Sequence, residues 1–155
     1  MSTIRCEIVT PERLVFSDDV NMVILPGAAG EMGILPKHAP LMSLLTEGEI
    51  VVKKDGEEDQ FFAVGGGFVE VLPDKVVVLA RSAEYAEEID IARAEAAMRR
   101  AEELLKSRPP DETRISAEHA LRRSRVRLKV ARKRARRRAR PPVAGVGEES
   151  EQQGS

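Results

Sequence analysis

The sequence predicts a β-plus-α protein: an N-terminal antiparallel β-sandwich or barrel, then a two-helix hairpin, then a short disordered tail. Three observations predict it. Up to about residue 81 the chain is a series of short β-branched runs separated by Gly, Pro and Asp. From about Glu87 apolar residues recur at three- and four-residue steps, the helical period. From Pro141 onward Gly, Pro, Glu, Ser and Gln dominate, a composition that cannot support a core. The expected boundaries are 1–83 for the sandwich, 87–138 for the basic hairpin and 141–155 for the tail.

Ile4, Cys6 and Ile8 alternate with polar residues, as do Val20, Met22 and Ile24, so each set predicts a strand with one buried face. Gly27, Gly30 and Gly33, with Pro36 and Pro40, predict a long irregular crossing between strands. Lys54-Asp55-Gly56-Glu57 predicts a hairpin turn. Gly65-Gly66-Gly67 lies between strand-like Phe61 to Val64 and Phe68 to Leu72. It therefore predicts a bulge or tight bend, since a phosphate-cradling loop would lead into a helix. Val76-Val77-Val78-Leu79 reads as a strand buried on both faces.

In the second half, Ile91, Ala94, Met98, Ala101 and Leu105 share one helical face. Ser107-Arg108-Pro109-Pro110 breaks that helix, and Thr113 is placed to cap a second one. The second face is Ala117, Leu121, Ser124, Leu128, Ala131 and Ala135. A seam this rich in Ala buries little area, and at roughly 25 cal/mol per Å² it leaves little surplus over ordering entropy. The hairpin is expected to detach readily.

Charge divides along the same line. Residues 1–90 carry 7 Lys/Arg against 17 Asp/Glu, and the remainder 18 against 9. Between Arg122 and Arg140 there are twelve Lys or Arg and no acid. Such a field attracts polyanions. A nucleic-acid binder would want aromatic stacking platforms, yet the chain has no Trp, one Tyr and four Phe, none in the basic stretch. The acidic first domain would also repel a duplex. Enzyme chemistry is poorly provided for. The two histidines, His38 and His119, have no Cys or carboxylate cluster at ligand spacing, and no Walker-type Lys-Ser/Thr pair follows a Gly-rich loop. A single Cys6 excludes an internal disulfide, and no apolar run approaches the ~20 residues of a membrane span. Any membrane association is expected to come through a complex.

Read whole, the irregular crossing is Gly30-Glu31-Met32-Gly33-Ile34-Leu35-Pro36-Lys37-His38-Ala39-Pro40-Leu41. With Val9-Thr10-Pro11, Gly66-Gly67-Phe68-Val69-Glu70-Val71 and Ile89-Asp90-Ile91-Ala92-Arg93-Ala94 in order, the chain resembles the bacterial ε subunit of F-type ATP synthase over about residues 3–131. The resemblance implies a flattened sandwich of about ten strands and a hairpin, in the rotor stalk of a proton- or sodium-driven synthase on the cytoplasmic face of the cell membrane. It implies a non-catalytic subunit with no required cofactor. The sandwich would hold the γ subunit and touch the polar loops of the c-ring, with Glu31 and His38 at that edge. An extended hairpin would inhibit ATP hydrolysis by presenting Arg122, Arg125, Arg132, Lys133 and Arg134 to an acidic surface of the catalytic β subunit.

Some members also bind regulatory ATP between hairpin and sandwich. Their pattern carries over to Glu84 and Asp90 near the base, Arg93 on the same helix, and Arg100, Arg123 and Arg127 around the phosphates. Arg93 and Arg100 are seven apart and Arg123 and Arg127 four apart, so each pair shares a helix face. Asp90 is equally an N-cap, and the arginines equally a general basic face. Pro109-Pro110, Tyr85 and Met98 depart from the family pattern, and the Arg/Lys run beyond Arg132 exceeds it. Two other readings stand beside this one: a nucleic-acid-binding protein and a free-standing ATP sensor.

Overall fold

The computed structural model describes residues 2–139, with side chains through Arg136. The tail expected for 141–155 and the side chains of Arg137, Arg138 and Arg140 lie outside the described residues. Eight strands form: β1 Ile4–Val9, β2 Leu14–Val20, β3 Met22–Gly27, β4 Gly30–Ile34, β5 Leu41–Lys53, β6 Gln60–Val71, β7 Lys75–Ala80 and β8 Ala83–Tyr85. Their order is β2-β1-β7-β6-β5-β3-β4, with β8 also on β6. All pairings are antiparallel except that of β1 with β7.

Two long strands make the sandwich. The first half of β6 pairs with β8 and its second half with β7, while β5 accompanies it throughout. Each of these strands, 13 and 12 residues long, thus serves both layers, which is why eight strands are described where the resemblance implied about ten. The bend falls at Gly65-Gly66-Gly67, as the sequence predicted. At Gly67, φ is 145° and a Cβ would strike the Leu79 carbonyl oxygen, so only glycine brings β6 this close to β7. Between the layers lie Phe62, Ile4, Ile8, Leu25, Ile50, Val69 and their neighbours, all buried. Phe16 meets Phe62 edge-on at 5.3 Å between centroids.

Several expectations change. The segment 27–40 is not one irregular crossing: β3 and β4 form a hairpin with Gly27 opposite Gly30, and only 35–40 is irregular. In β7, Val76 and Val78 are buried but Leu79 is 55% exposed. Among the described residues no layer covers that outer face, so the strand alternates. Strand pairing also continues past residue 83 through Tyr85.

After a 3₁₀ turn at Ala86–Glu88 come α1 Ile91–Lys106 and α2 Asp111–Ala139. α2 starts before Thr113, because Pro110 already supplies the carbonyl that Arg114 N–H reaches at 2.9 Å. Proline suits that entry, having no N–H to orphan. Along α2 the predicted seam holds at Ala117, Ser124, Leu128 and Ala131, all buried, but Ala135 is exposed.

Candidate functional site

α2 is buried along two lines, and the second was not anticipated. One line meets α1. The other carries Val130, fully buried, and half-buried Val126 onto the sheet, closing a small second core with Val51, Phe61, Ala63, Ala86 and Ile89. Residues 61–64 of β6 are therefore buried on both faces, Phe62 and Val64 inward and Phe61 and Ala63 under α2. The sequence signal for this was the unbroken apolar run Phe61-Phe62-Ala63-Val64.

Around this apolar strip the acidic sheet and the basic helix are joined by ion pairs. Arg127 donates from Nε to Glu84 Oε2 at 2.7 Å and from Nη2 to Oε1 at 3.1 Å. Lys133 Nζ reaches Glu49 at 2.7 Å and stands 4.9 Å from the centroid of the Phe61 ring. Arg134 meets Glu87 at 2.8 Å, and His119 meets Glu47 at 3.3 Å. The second oxygens of Glu47 and Glu49 are buried without a hydrogen bond. A buried acceptor in that state costs about 1–3 kcal/mol, so Glu49 depends on Lys133 and Glu47 on its hydrogen bond with the His119 ring. On the sandwich side, Arg13 binds Glu88 at 2.6 Å, holding the 3₁₀ turn against the β1–β2 connection. That bond keeps the Glu88 carboxyl below its ordinary range.

Three residues of the expected nucleotide set come together. Glu84, Arg123 and Arg127 line one cavity with Ser82 and Val126, but its volume is about 30 Å³, against the ~300–1,000 Å³ usual for ligand pockets. Asp90 is the N-cap of α1, accepting from Arg93 N–H at 3.1 Å, and the Arg93 side chain is exposed. Arg100 lies elsewhere, in a groove between the helices beside Glu112 and Thr113. Of the expected partner-binding residues, Arg122, Arg125 and Arg132 are exposed. Lys133 is engaged with Glu49 of the sheet and Arg134 with Glu87 of the 3₁₀ turn. Glu31 is exposed on edge strand β4, opposite Pro26. His38 turns its Nδ1 to the Ala39 carbonyl at 2.6 Å, within its own loop, and Lys37 N–H ties that loop to Pro73 at 2.8 Å.

One surface had not been foreseen. Leu44 is registered with Phe68, Phe68 with Leu79, Leu79 with Val9, and Val9 with Leu14. Leu44, Phe68, Leu79 and Leu14 are each more than half exposed. They form an apolar stripe across four strand pairings on an outer face of the sandwich. Their spacing in sequence hides them, because only the register aligns them.

A sandwich with a docked helical hairpin and an exposed apolar stripe defines the class: a β-sandwich and helical-hairpin protein with a surface suited to assembly. Residues 3–86 match the family described as ATP synthase, Delta/Epsilon chain, beta-sandwich domain, and residues 87–132 match its long alpha-helix domain. The chain is 53% identical over 135 residues to the ATP synthase epsilon chain of Dehalococcoides mccartyi, covering 86% of this chain and 96% of the relative. It is 48% identical over 132 residues to that of Bacillus licheniformis, covering 85% and 100%. A chain of the Euglena gracilis mitochondrial ATP synthase shares the fold, with a TM-score of 0.72 at 24% identity, covering 86% of this chain and 81% of that one. The chain belongs to the ATP synthase delta/epsilon family, as a non-catalytic epsilon-type subunit of the F-type central stalk. No helix among the described residues is long and apolar enough to cross a membrane, and the subunit joins the membrane through its complex.

Proposed function

We propose that the sandwich transmits rotation between the γ subunit and the c-ring, and that the hairpin is an ATP-sensitive brake on hydrolysis. The observation that carries this reading is the division of labour between the two outer faces. One face is covered by α2 through a small core and exchangeable ion pairs, while the other offers the Leu44–Phe68–Leu79–Leu14 stripe to a permanent partner. That stripe suits γ, since contiguous exposed apolar patches mark sites of protein–protein contact. Glu31 and the loop carrying His38 would face the polar loops of the c-ring.

The docked hairpin is the permissive state. Released, α2 would present Arg122, Arg125, Arg132, Lys133 and Arg134 to an acidic surface of the catalytic β subunit, where charge complementarity gives rate and specificity. ATP would favour docking by bridging hairpin and sandwich at Glu84, Asp90, Arg93, Arg100, Arg123 and Arg127. The 30 Å³ cavity requires the hairpin to shift to admit it. A ligand that binds only the docked state stabilises it by RT ln(1 + [L]/Kd), about 2.7 kcal/mol at a hundredfold excess.

The test is a pair of measurements. Calorimetric titration of the isolated protein should detect ATP, with Arg123→Ala and Arg127→Ala each weakening binding at least about tenfold through loss of a charge-assisted contact. In the assembled complex, hydrolysis should be inhibited at low ATP and released at high ATP, and α2 Arg→Gln variants should lose the difference. No heat at millimolar ATP would remove the sensor and leave the rotor role. Failure of a Phe68→Glu, Leu79→Glu variant to lose γ would remove the assigned seat.

A further inference from the structure

α2 carries a second set of cations besides those that meet the sheet. Arg125, Lys129, Arg132 and Arg136 recur at four-, three- and four-residue steps, so they form one stripe along the helix. Together with Lys133 they line a groove of about 460 Å³, and its remaining lining residues are Met98 of α1 and Leu128. Neither a carboxylate nor an aromatic ring is among the residues that line it. Arg132 reaches Glu95 of α1 at 3.4 Å and Lys133 reaches Glu49 at 2.7 Å. Arg125, Lys129 and Arg136 have no ion-pair partner among the described residues. Like charges at these spacings repel, and an anion seated among them relieves that repulsion. The groove shares no residue with the cavity at Glu84, Arg123 and Arg127. Unlike that cavity, it has a volume within the ~300–1,000 Å³ usual for ligand pockets.

We propose that this groove is a binding site for a linear polyphosphate, a run of three or more phosphates that is either free or the triphosphate of a nucleotide. Arg125 and Arg136 are eleven residues apart, about 16 Å along the axis at 1.5 Å per residue. A single phosphate can meet cations one turn apart and leaves the others unmatched, whereas a phosphate chain meets them in succession. Three of the four stripe residues are Arg, whose planar fork fits phosphate oxygens in pairs. The apolar floor of Met98 and Leu128 keeps water from one side of those contacts, which strengthens them. A nucleic acid would gain no base stacking here, since no aromatic ring lines the groove. Because Met98 belongs to α1 and the cations to α2, the site exists only while the two helices lie together, and its ligand holds the hairpin closed. A bound polyphosphate also occupies Arg125, Arg132 and Lys133, so it competes with any acidic protein surface for them. None of this depends on ATP binding at Glu84, Arg123 and Arg127.

The test titrates the full chain with sodium tripolyphosphate, with ATP and with orthophosphate, following the Met98 methyl and the amides of residues 128–136 by NMR. Tripolyphosphate should shift these signals saturably, orthophosphate should bind at least about tenfold more weakly for want of further charge-assisted contacts, and added salt should weaken both. Arg125→Gln with Lys129→Gln and Arg136→Gln should weaken tripolyphosphate at least about tenfold. Arg99→Gln with Lys106→Gln and Arg108→Gln, which removes the same charge from exposed residues outside the groove, should leave binding nearly as it was. Equal affinity for tripolyphosphate and ATP assigns the phosphate chain alone as the ligand, and tighter ATP with the same Met98 shift assigns the nucleotide. Silence of the Met98 methyl towards both overturns the proposal, as does orthophosphate binding as tightly as tripolyphosphate or an equal loss in the two triple variants. Tighter binding of an oligoglutamate peptide or of a single-stranded RNA at the same signals also overturns it, in favour of an acidic protein or a nucleic acid. Circular dichroism verifies that the variants keep the hairpin.

Discussion

The guanidinium of Arg127 is held by both oxygens of Glu84, at 2.7 and 3.1 Å. The Arg127 group proposed to grip a phosphate is therefore already gripping a carboxylate. Glu84 was expected near the base of bound ATP, and the pairing suggests an opposing role as an internal stand-in for phosphate. The two roles differ in sign. Both side chains are about one-third exposed, so the pair is worth about 0.5–1 kcal/mol. Glu84→Gln should tighten ATP binding about two- to fivefold if Glu84 competes, and weaken it if Glu84 holds the base. Calorimetry on the single variant decides between them.

The docking of α2 should be sensitive to salt while the sandwich is not. Its small core is framed by the ion pairs of Glu49, Glu84 and Glu87 with Lys133, Arg127 and Arg134, each with a cation that keeps part of its side chain in solvent, and such pairs weaken as ionic strength rises. Hydrogen exchange should quicken across α2 and across Phe61–Ala63 with added salt, leaving β1 and β7 protected. Lys133→Met should loosen docking by about 1–3 kcal/mol, because it strands the buried Glu49 carboxylate. Equal exchange in the Lys133→Met variant and the unsubstituted chain, at low and high salt alike, would show that the apolar strip alone holds the helix.

What the sequence disclosed, and what it hid, follows from the range of each interaction. Alternation at Ile4, Cys6 and Ile8, the turn at Gly56 and the seam at Ala117, Ser124 and Leu128 are local patterns, and each was legible. The hairpin of β3 and β4 was missed because glycines and prolines mark turns without saying how many residues between them pair. Val130 and the Leu44–Phe68–Leu79 stripe were missed because their meaning lies in register and docking, which join residues tens of positions apart. The Asp90 cap was legible from its place before Ile91, whereas the separation of Arg100 from Arg123 and Arg127 was not.

Acid should weaken the sandwich through two carboxylates. The hydrogen bond from Arg13 lowers the pKa of Glu88, and the hydrogen bond from Lys54 lowers that of Asp18. A carboxylate whose folded pKa is depressed contributes stability that is fully present above its unfolded value, about 4. That contribution is lost as pH falls through the lower folded value. Arg13→Gln and Lys54→Gln should therefore lower the melting temperature at neutral pH and change it little at about pH 2, where the wild-type carboxylates are protonated as well. Parallel melting curves at all pH values would mean that neither pair matters to stability.

The last prediction concerns where the sandwich ends. A boundary at residue 83 cuts β8, which pairs Ala83, Glu84 and Tyr85 with Val64, Ala63 and Phe62. Tyr85 also packs on Phe62, the largest fully buried side chain of the core, with ring centroids 4.6 Å apart. Residues 86–88 add the Arg13–Glu88 pair. A chain of residues 1–88 should therefore fold and keep its apolar stripe, whereas one of 1–83 loses an aromatic contact worth about 0.5–1.5 kcal/mol and the backbone pairing of an edge strand. A combined loss of about 2 kcal/mol corresponds to roughly 8–16 °C in a domain of this size. Both truncations uncover Phe61, Ala63 and Val51 by removing Val130 and Ala131, so that shared change cancels in the comparison. Thermal unfolding of the two, followed by circular dichroism at matched concentration, measures the difference. Coincident melting would place the end of the cooperative sandwich at residue 83 and make β8 an accessory of the hairpin.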